Sequence, residues 1–282
     1  MVNCMAKSRQ YSFINNQRGF TLSLIEGNEL IDNINTIHNI GENAQGFYKK
    51  FVLSTQQLIN FLKPGENLGF YIDSEDPYFR FKIEMAHNGS LRTLLLPEEF
   101  EDFPTTFTGK CRVTKVFNNK SPYTSVLEFV DHPVEQLVNE VMEKSYQTNS
   151  EIITGKNLLS TLMITKLPPT NINKKIEDYE ETSLNEFKDE FSLLINSALE
   201  LKDTDVKETE ELFSKFGFNY IGSKEVKFYC PCSKERMINN IHSLNLDDID
   251  SLFEDKSFFE TRCDYCNTVY KIEKQDIKSE IQ

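Results

Sequence analysis

The chain has 282 residues, of which 39% are apolar, and its 44 acidic side chains against 31 basic ones give a net charge of −13. A charge of this sign argues against a general nucleic-acid binder, because such proteins hold phosphates with basic side chains. No apolar run reaches the roughly 18 residues of a membrane-spanning helix, and residues 1–10 lack the apolar stretch of a signal peptide, so we expect a cytoplasmic protein with no membrane partner.

Residues 1–168 are predicted to form an α+β domain with a mixed β-sheet and helices. Apolar side chains alternate with polar ones between Tyr78 and Met85, as expected for a half-buried strand. The pair Asn88-Gly89 then favours a tight hairpin into the next strand. In chain order the predicted elements are a strand at 19–25, a helix at 43–62, strands at 78–85, 91–96, 106–117 and 124–130, a helix at 133–144, and strands within 151–166.

Pro168-Pro169 marks a boundary, after which residues 169–216 are predicted to be an acidic helical linker. Residues 171–216 contain 13 Asp and Glu against 6 Lys, a net charge of −7. Ser183 and Glu186 have the spacing of a capping box, in which each side chain satisfies the other's free backbone donor. Apolar residues recur after it at helical spacings of three and four, which predicts one apolar stripe, formed by Leu184, Phe187, Phe191, Leu194, Ala198 and Leu201.

The remaining residues, 217–282, are predicted to form a small C-terminal domain. Ser233 can begin a helix that carries Met237, Ile238 and Ile241, and the apolar residues within 246–253 suggest a second short helix. Strands are predicted at 258–262 and 268–272. Units of this size bury only about 60% of the surface that their unfolded chain exposes and often need a metal ion or disulfides.

Four cysteines carry the chemistry of this small domain. They form a C-x-C pair and a C-x-x-C pair thirty residues further on, namely Cys230, Cys232, Cys263 and Cys266. Four thiolates satisfy a tetrahedral Zn²⁺ ion, and each short spacing lets one turn deliver two ligands. We therefore predict one zinc ion per chain, held by these four cysteines.

The cysteine pattern leaves three alternatives open. A zinc ion could serve only to hold the tail together, or the unit could be a zinc ribbon that binds nucleic acid, which the acidic balance disfavours. The third is a thioredoxin-like redox C-x-x-C, but residues 263–266 follow no βαβ pattern.

Other candidate sites are weak, and we predict that the protein is not an enzyme. The pair Gly155-Lys156 lacks the upstream glycine and the following Ser or Thr of a phosphate-binding loop. No nucleophile elbow or H-E-x-x-H motif is present, and the four histidines are scattered. Cys111 lies in a strand pattern typical of a small buried residue, and Cys4 is near the chain end.

The segment Phe228-Tyr-Cys-Pro-Cys-Ser-Lys-Glu-Arg236, followed by Cys263-Asp-Tyr-Cys266 and Tyr270, resembles the signature of the heat shock protein 33 family. A weaker resemblance covers most of the chain, including Arg18-Gly19 and Leu167-Pro168. Residues 74–77, 92–93, 145–147 and 163–167 depart from the family pattern, so this chain resembles a diverged member.

This resemblance implies a redox-regulated, ATP-independent chaperone, a holdase that captures unfolding client proteins under oxidative stress. It implies an inactive state when the protein is reduced and zinc-bound. Oxidants then pair the cysteines, zinc leaves, the linker unfolds, and a homodimer can form. The chaperone domain would be residues 1–168, and residues 217–282 would be the redox-switch domain. The alternative is a zinc-ribbon interaction or regulatory module without redox switching.

Two expectations follow for specific residues. Because each cysteine meets its chain neighbour before a distant thiol, oxidation is expected to form disulfides Cys230–Cys232 and Cys263–Cys266. The apolar stripe either packs permanently on the main domain, or packs there in the resting state and is uncovered on activation as a client or docking surface. The pattern alone does not separate these two interpretations.

Overall fold

In the computed structural model, the chain has the mixed α+β architecture that the sequence predicts. The structure describes residues 7–118, 120–168, 181–202, 204–242, 252–253 and 256–278. The chain divides into two units, Met1–Phe228 and Tyr229–Gln282. Among the described residues, no helix has both the length and the apolar composition needed to cross a membrane.

The elements alternate along the chain, with most strands in the first unit. The strands are β1 (Arg9–Asn15), β2 (Phe20–Glu26), β3 (Asn67–Asp76), β4 (Tyr78–Ala86), β5 (Ser90–Leu96), β6 (Thr106–Phe117), β7 (Lys120–Pro133), β8 (Ser150–Thr154), β9 (Ser160–Lys166), β10 (Asn219–Glu225), β11 (Lys227–Phe228), β12 (Phe258–Arg262) and β13 (Val269–Glu273). The helices are α1 (Asn28–Ile37), α2 (Glu42–Gln56), α3 (Leu137–Tyr146), α4 (Leu184–Glu190), α5 (Ser192–Leu199), α6 (Val206–Ser214), α7 (Lys234–Ile241) and α8 (Lys274–Lys278), with 3₁₀ turns at Gln57–Phe61 and Val134–Gln136.

The first unit contains two β-sheets. The five-stranded sheet has the order β10-β1-β2-β9-β8, and all of its pairs are antiparallel. The six-stranded sheet has the order β11-β5-β4-β3-β6-β7, and its β11–β5 pair is parallel. Helix α2 contacts strands of both sheets, so it lies between them.

The core between the sheets is rich in aromatic side chains. Phe51 of α2 packs edge-on against Phe81 of β4, with their ring centroids 5.1 Å apart. The buried amide of Gln57 donates hydrogen bonds to the carbonyl oxygens of Ser23 and Thr161, 3.0 Å away in each case. These bonds satisfy a polar group in the core and join the end of α2 to the five-stranded sheet.

The other face of the five-stranded sheet is covered by α4, α5 and α6. Side chains alternate along β2, so that Leu22 and Leu24 point to this face while Ile25 points to α2. The ring of Phe187 in α4 stacks on Phe20 at 4.1 Å, and that of Phe213 in α6 stacks on Phe13 at 3.8 Å. The three helices thus cover a continuous apolar sheet face.

The apolar stripe predicted from the sequence lies in this covering layer. Its members Phe187, Phe191, Leu194 and Ala198 are buried, and Leu184 and Leu201 are partly buried against them. The predicted capping box between Ser183 and Glu186 is confirmed. The single predicted helix is instead two helices, because the backbone leaves helical geometry at Phe191.

The domain division differs from the predicted one. The sequence placed residues 217–228 in the C-terminal domain, but β10 pairs with β1 and β11 pairs with β5, so both strands belong to the first unit. The linker helices likewise pack as part of that unit. Strands β1 and β3 and helix α1 were not predicted. The predicted boundary at Pro169 and the residues up to 180 lie outside the described residues.

Candidate metal centre

The second unit is built around a helix and a hairpin. Helix α7 begins after Ser233, whose hydroxyl accepts a hydrogen bond from the backbone N–H of Arg236. The hairpin of β12 and β13 confirms the two predicted strands, and its last pair is Arg262 with Val269. The predicted helix over residues 246–253 falls largely outside the described residues.

The apolar core of this unit is small. Five buried side chains form it among the described residues, namely Ile238, Ile241, Phe253, Ile272 and Ile277. A core of this size contributes little against the conformational entropy of the unit's chain. A further source of folding free energy is therefore expected.

Two short segments deliver the cysteines. Cys230 and Cys232 lie just before Ser233, the N-cap of α7. Cys263 and Cys266 lie in the turn between β12 and β13, where the N–H of Cys263 bonds the carbonyl of Thr268 at 3.0 Å. Asn267 closes this turn with a φ of 58°, a left-handed conformation that Asn tolerates well.

The four sulfur atoms lie within 4.8 Å of one another. Sγ of Cys230 is 3.7 Å from Sγ of Cys263, and Sγ of Cys232 is 3.2 Å from Sγ of Cys266. A disulfide bond is about 2.05 Å long, so these are free thiols. Four sulfurs about 2.3 Å from a central Zn²⁺ ion would lie about 3.8 Å apart. The cluster can therefore hold a tetrahedral metal ion.

The environment affects the four thiols unequally. Burial raises the pKa of Cys232 and of Cys263 above the usual value for a thiol. Burial also opposes ionisation of Cys266, but hydrogen bonds with the side chain and backbone of Thr268 outweigh it and lower the pKa of Cys266 to about 7. A bound cation would favour the thiolate form at all four positions.

The hydroxyl groups of Tyr270 and Thr268 each lie beside one of the sulfurs. The sequence alone did not predict a role for either hydroxyl. The hydroxyl oxygen of Tyr270 is 3.0 Å from Sγ of Cys232, and Oγ1 of Thr268 is 3.2 Å from Sγ of Cys266. Strand alternation could have found Tyr270, since it lies two residues before the buried Ile272 and so shares its face of the hairpin.

The other cysteines are separate from this cluster. Cys111 is fully buried in β6, and burial raises the pKa of its thiol, which agrees with the prediction of a small core residue. Cys4 lies outside the described residues.

Comparison with known proteins identifies the family. A family model described as Hsp33 protein matches residues 8–273. The chain belongs to the Hsp33 family. This confirms the resemblance found in the sequence, and the match spans both units.

Relatives in the Hsp33 family are distant. The 33 kDa chaperonin of Aquifex aeolicus is 19% identical over 281 residues, covering 90% of this chain and 83% of the relative. That of Thermosipho melanesiensis is 19% identical, with 91% and 92% covered. The crystal structure of the Thermotoga maritima 33 kDa chaperonin, described as a heat shock protein 33 homolog, matches with a TM-score of 0.69 at 14% identity over 97% of both chains, so the fold is shared.

Proposed function

We propose that this Hsp33-family protein is a cytoplasmic, ATP-independent chaperone that binds unfolding client proteins when oxidised and is inactive when reduced and zinc-bound. The cluster of four free thiols supports this proposal most directly, because it joins a metal site and a redox-sensitive site in the same atoms. The proposed activity is binding, not catalysis.

In the reduced protein, Cys230, Cys232, Cys263 and Cys266 would hold one zinc ion. The donor set favours zinc, since thiolates are soft ligands and the sulfur separations suit a tetrahedron. Bound zinc would supply the folding free energy that the small core of the unit lacks.

Oxidation would then dismantle this site. One thiolate attacks a peroxide oxygen and becomes a sulfenic acid as hydroxide leaves, and a second thiolate displaces the remaining hydroxide to form a disulfide. Two electrons pass to the peroxide, and two protons from solvent convert the hydroxides to water. The paired sulfurs can no longer bind the metal, so the unit loses its main source of stability.

The pairing is expected to be Cys230–Cys232 and Cys263–Cys266. In the reduced cluster the cross-pairs Cys230–Cys263 and Cys232–Cys266 are also close, at 3.7 and 3.2 Å. Each chain neighbour, however, is tethered only two or three positions away throughout oxidation, so a sulfenic acid is expected to meet it before a thiol of the other pair. Peptide mapping by mass spectrometry after peroxide treatment should find the neighbour pairs. Predominant cross-pairs would contradict this assignment.

The client surface is proposed to be the apolar sheet face beneath α4, α5 and α6, together with the apolar stripe from Leu184 to Leu201. Phe13, Phe20, Leu22 and Leu24 form part of this sheet face and are fully covered in the structure. In chain order, α6 is followed by β10 and β11, and Cys230 comes two residues after β11, so loss of the metal site would remove the folded structure next to these strands and, through them, loosen the helical layer. An uncovered apolar patch of several hundred Å² binds unfolded chains without sequence preference.

Light scattering of a heat-unfolding client tests the proposal. Oxidised protein should suppress aggregation in the absence of ATP, and reduced, zinc-loaded protein should not. Equal suppression by both forms would leave a chaperone without a redox switch. Suppression by neither form would favour the alternative, a zinc-ribbon interaction module. Gel filtration of the oxidised protein would test the homodimer that the family resemblance implies.

A further inference from the structure

The hydrogen bond between Tyr270 and Cys232 is built by the fold of the second unit. Tyr270 pairs with Thr261 in the hairpin, one pair away from the turn that carries Cys263 and Cys266. Helix α7, which follows Cys232, packs on β13. This arrangement brings the tyrosine hydroxyl within 3.0 Å of Sγ of Cys232.

When Cys232 binds the metal as a thiolate, the Tyr270 hydroxyl is placed to donate a hydrogen bond to its sulfur. An O–H group donates to a thiolate more strongly than to a neutral thiol, because the acceptor carries the charge. Such a donor orients the sulfur and withdraws part of its charge. Groups that hold metal ligands in this way commonly change metal affinity by about 10- to 100-fold when they are removed.

The Tyr270 hydroxyl reaches Cys232 from a distant part of the chain, whereas Cys263 and Cys266 have hydrogen-bond partners in their own turn. Cys266 has the Thr268 hydroxyl and backbone as partners, and Cys263 has backbone hydrogen bonds in its own turn. For Cys232, the Tyr270 hydroxyl is a partner from outside the cluster that can donate to the thiolate. Sγ of Cys232 is also only 3.2 Å from Sγ of Cys266. Two thiolates at this distance repel each other, so a hydrogen-bond donor to either sulfur stabilises the pair.

We propose that Tyr270 is a positioning residue of the metal site, whose hydroxyl strengthens zinc binding by Cys232 and slows oxidation of that sulfur. This inference rests on the proposed function, since it assumes that the cluster holds zinc. The hydrogen bond lowers the electron density on sulfur, so it lowers the attack rate on peroxide. Tyr270 therefore raises the oxidant dose at which the site opens.

The test is Tyr270→Phe in the full-length reduced protein, which removes the hydroxyl and keeps the ring. The matched control is Tyr229→Phe, which makes the same change beside Cys230 at a side chain that is 58% exposed. Competition with a chromophoric chelator should show about 10-fold weaker zinc binding for Tyr270→Phe and no change for Tyr229→Phe. Zinc release and thiol loss in hydrogen peroxide should be correspondingly faster for Tyr270→Phe.

Cobalt substitution separates this role from simple packing. At saturating Co²⁺, the d–d bands report whether the tetrahedral site has formed, and the sulfur-to-metal charge-transfer band reports electron density on sulfur. Tyr270→Phe should move the charge-transfer band to lower energy with the d–d bands retained. An unmoved band with unchanged zinc affinity would overturn the inference while leaving the proposed function intact. A wild-type protein that binds no zinc would overturn both.

Discussion

Replacing Cys263 with serine is expected to abolish zinc binding and unfold the second unit. Cys263 is only 5% exposed, and its turn also carries Cys266, so the substitution removes one ligand and disturbs the turn that supplies another. Structural zinc in small units contributes about 10–16 kcal/mol at neutral pH, and the small apolar core seen among the described residues does not replace it once the conformational entropy of the unit is counted. Metal analysis and limited proteolysis of the reduced variant measure the two effects.

A suitable control for this change is Cys111→Ala. It removes another buried thiol, in β6 of the first unit, and should leave one zinc ion per chain. A Cys263→Ser protein that keeps its zinc, or whose second unit stays resistant to protease, would show that the cluster does not stabilise this unit.

Replacing Leu194 with glutamate is expected to give client binding without oxidant. Leu194 is 0% exposed and packs in the layer between α5 and the five-stranded sheet. Losing its burial costs about 2–5 kcal/mol, and burying a carboxylate there costs several more unless the layer opens. Helix α5 has eight residues and is not stable without a docking surface, so the layer should open.

The neighbouring Leu193→Glu is the control for this prediction. Leu193 is 67% exposed, so the same substitution one residue away adds the same charge without disturbing the layer. Reduced Leu194→Glu protein should suppress aggregation of a heat-unfolding client, and reduced Leu193→Glu protein should behave as wild type. If the two variants are alike, the face beneath α4, α5 and α6 is not the client surface.

The elements predicted correctly are those marked by patterns within a few residues of one another in the sequence. Strands β4, β5 and β6 were found because alternation and the Asn88-Gly89 turn are short-range signals. The helix predicted at 43–62 is α2 followed by a 3₁₀ turn. The four cysteines were found because short ligand spacings are set by the chemistry of the metal and not by the fold.

The remaining features depend on contacts between distant parts of the chain. β10 was placed in the wrong unit because its partner, β1, lies about two hundred residues earlier and no local pattern marks that pairing. The helix break falls at Phe191, where Phe187 and Phe191 both contact Phe218, and no local pattern in the sequence marks it. The hydrogen bond between Tyr270 and Cys232 likewise needs the hairpin and α7 to be in place.

The chain is held to the five-stranded sheet on both sides of the helical layer formed by α4, α5 and α6. Before the layer, the N–H of Leu167 bonds the carbonyl of Gly19, and after it β10 pairs with β1, so both anchors are on the sheet that the helices cover. If the helices detach while both anchors hold, the chain between the anchors becomes a closed loop. The conformational entropy of such a loop grows only slowly with its length. Recovery would then be an intramolecular step with a high effective concentration, independent of how dilute the protein is.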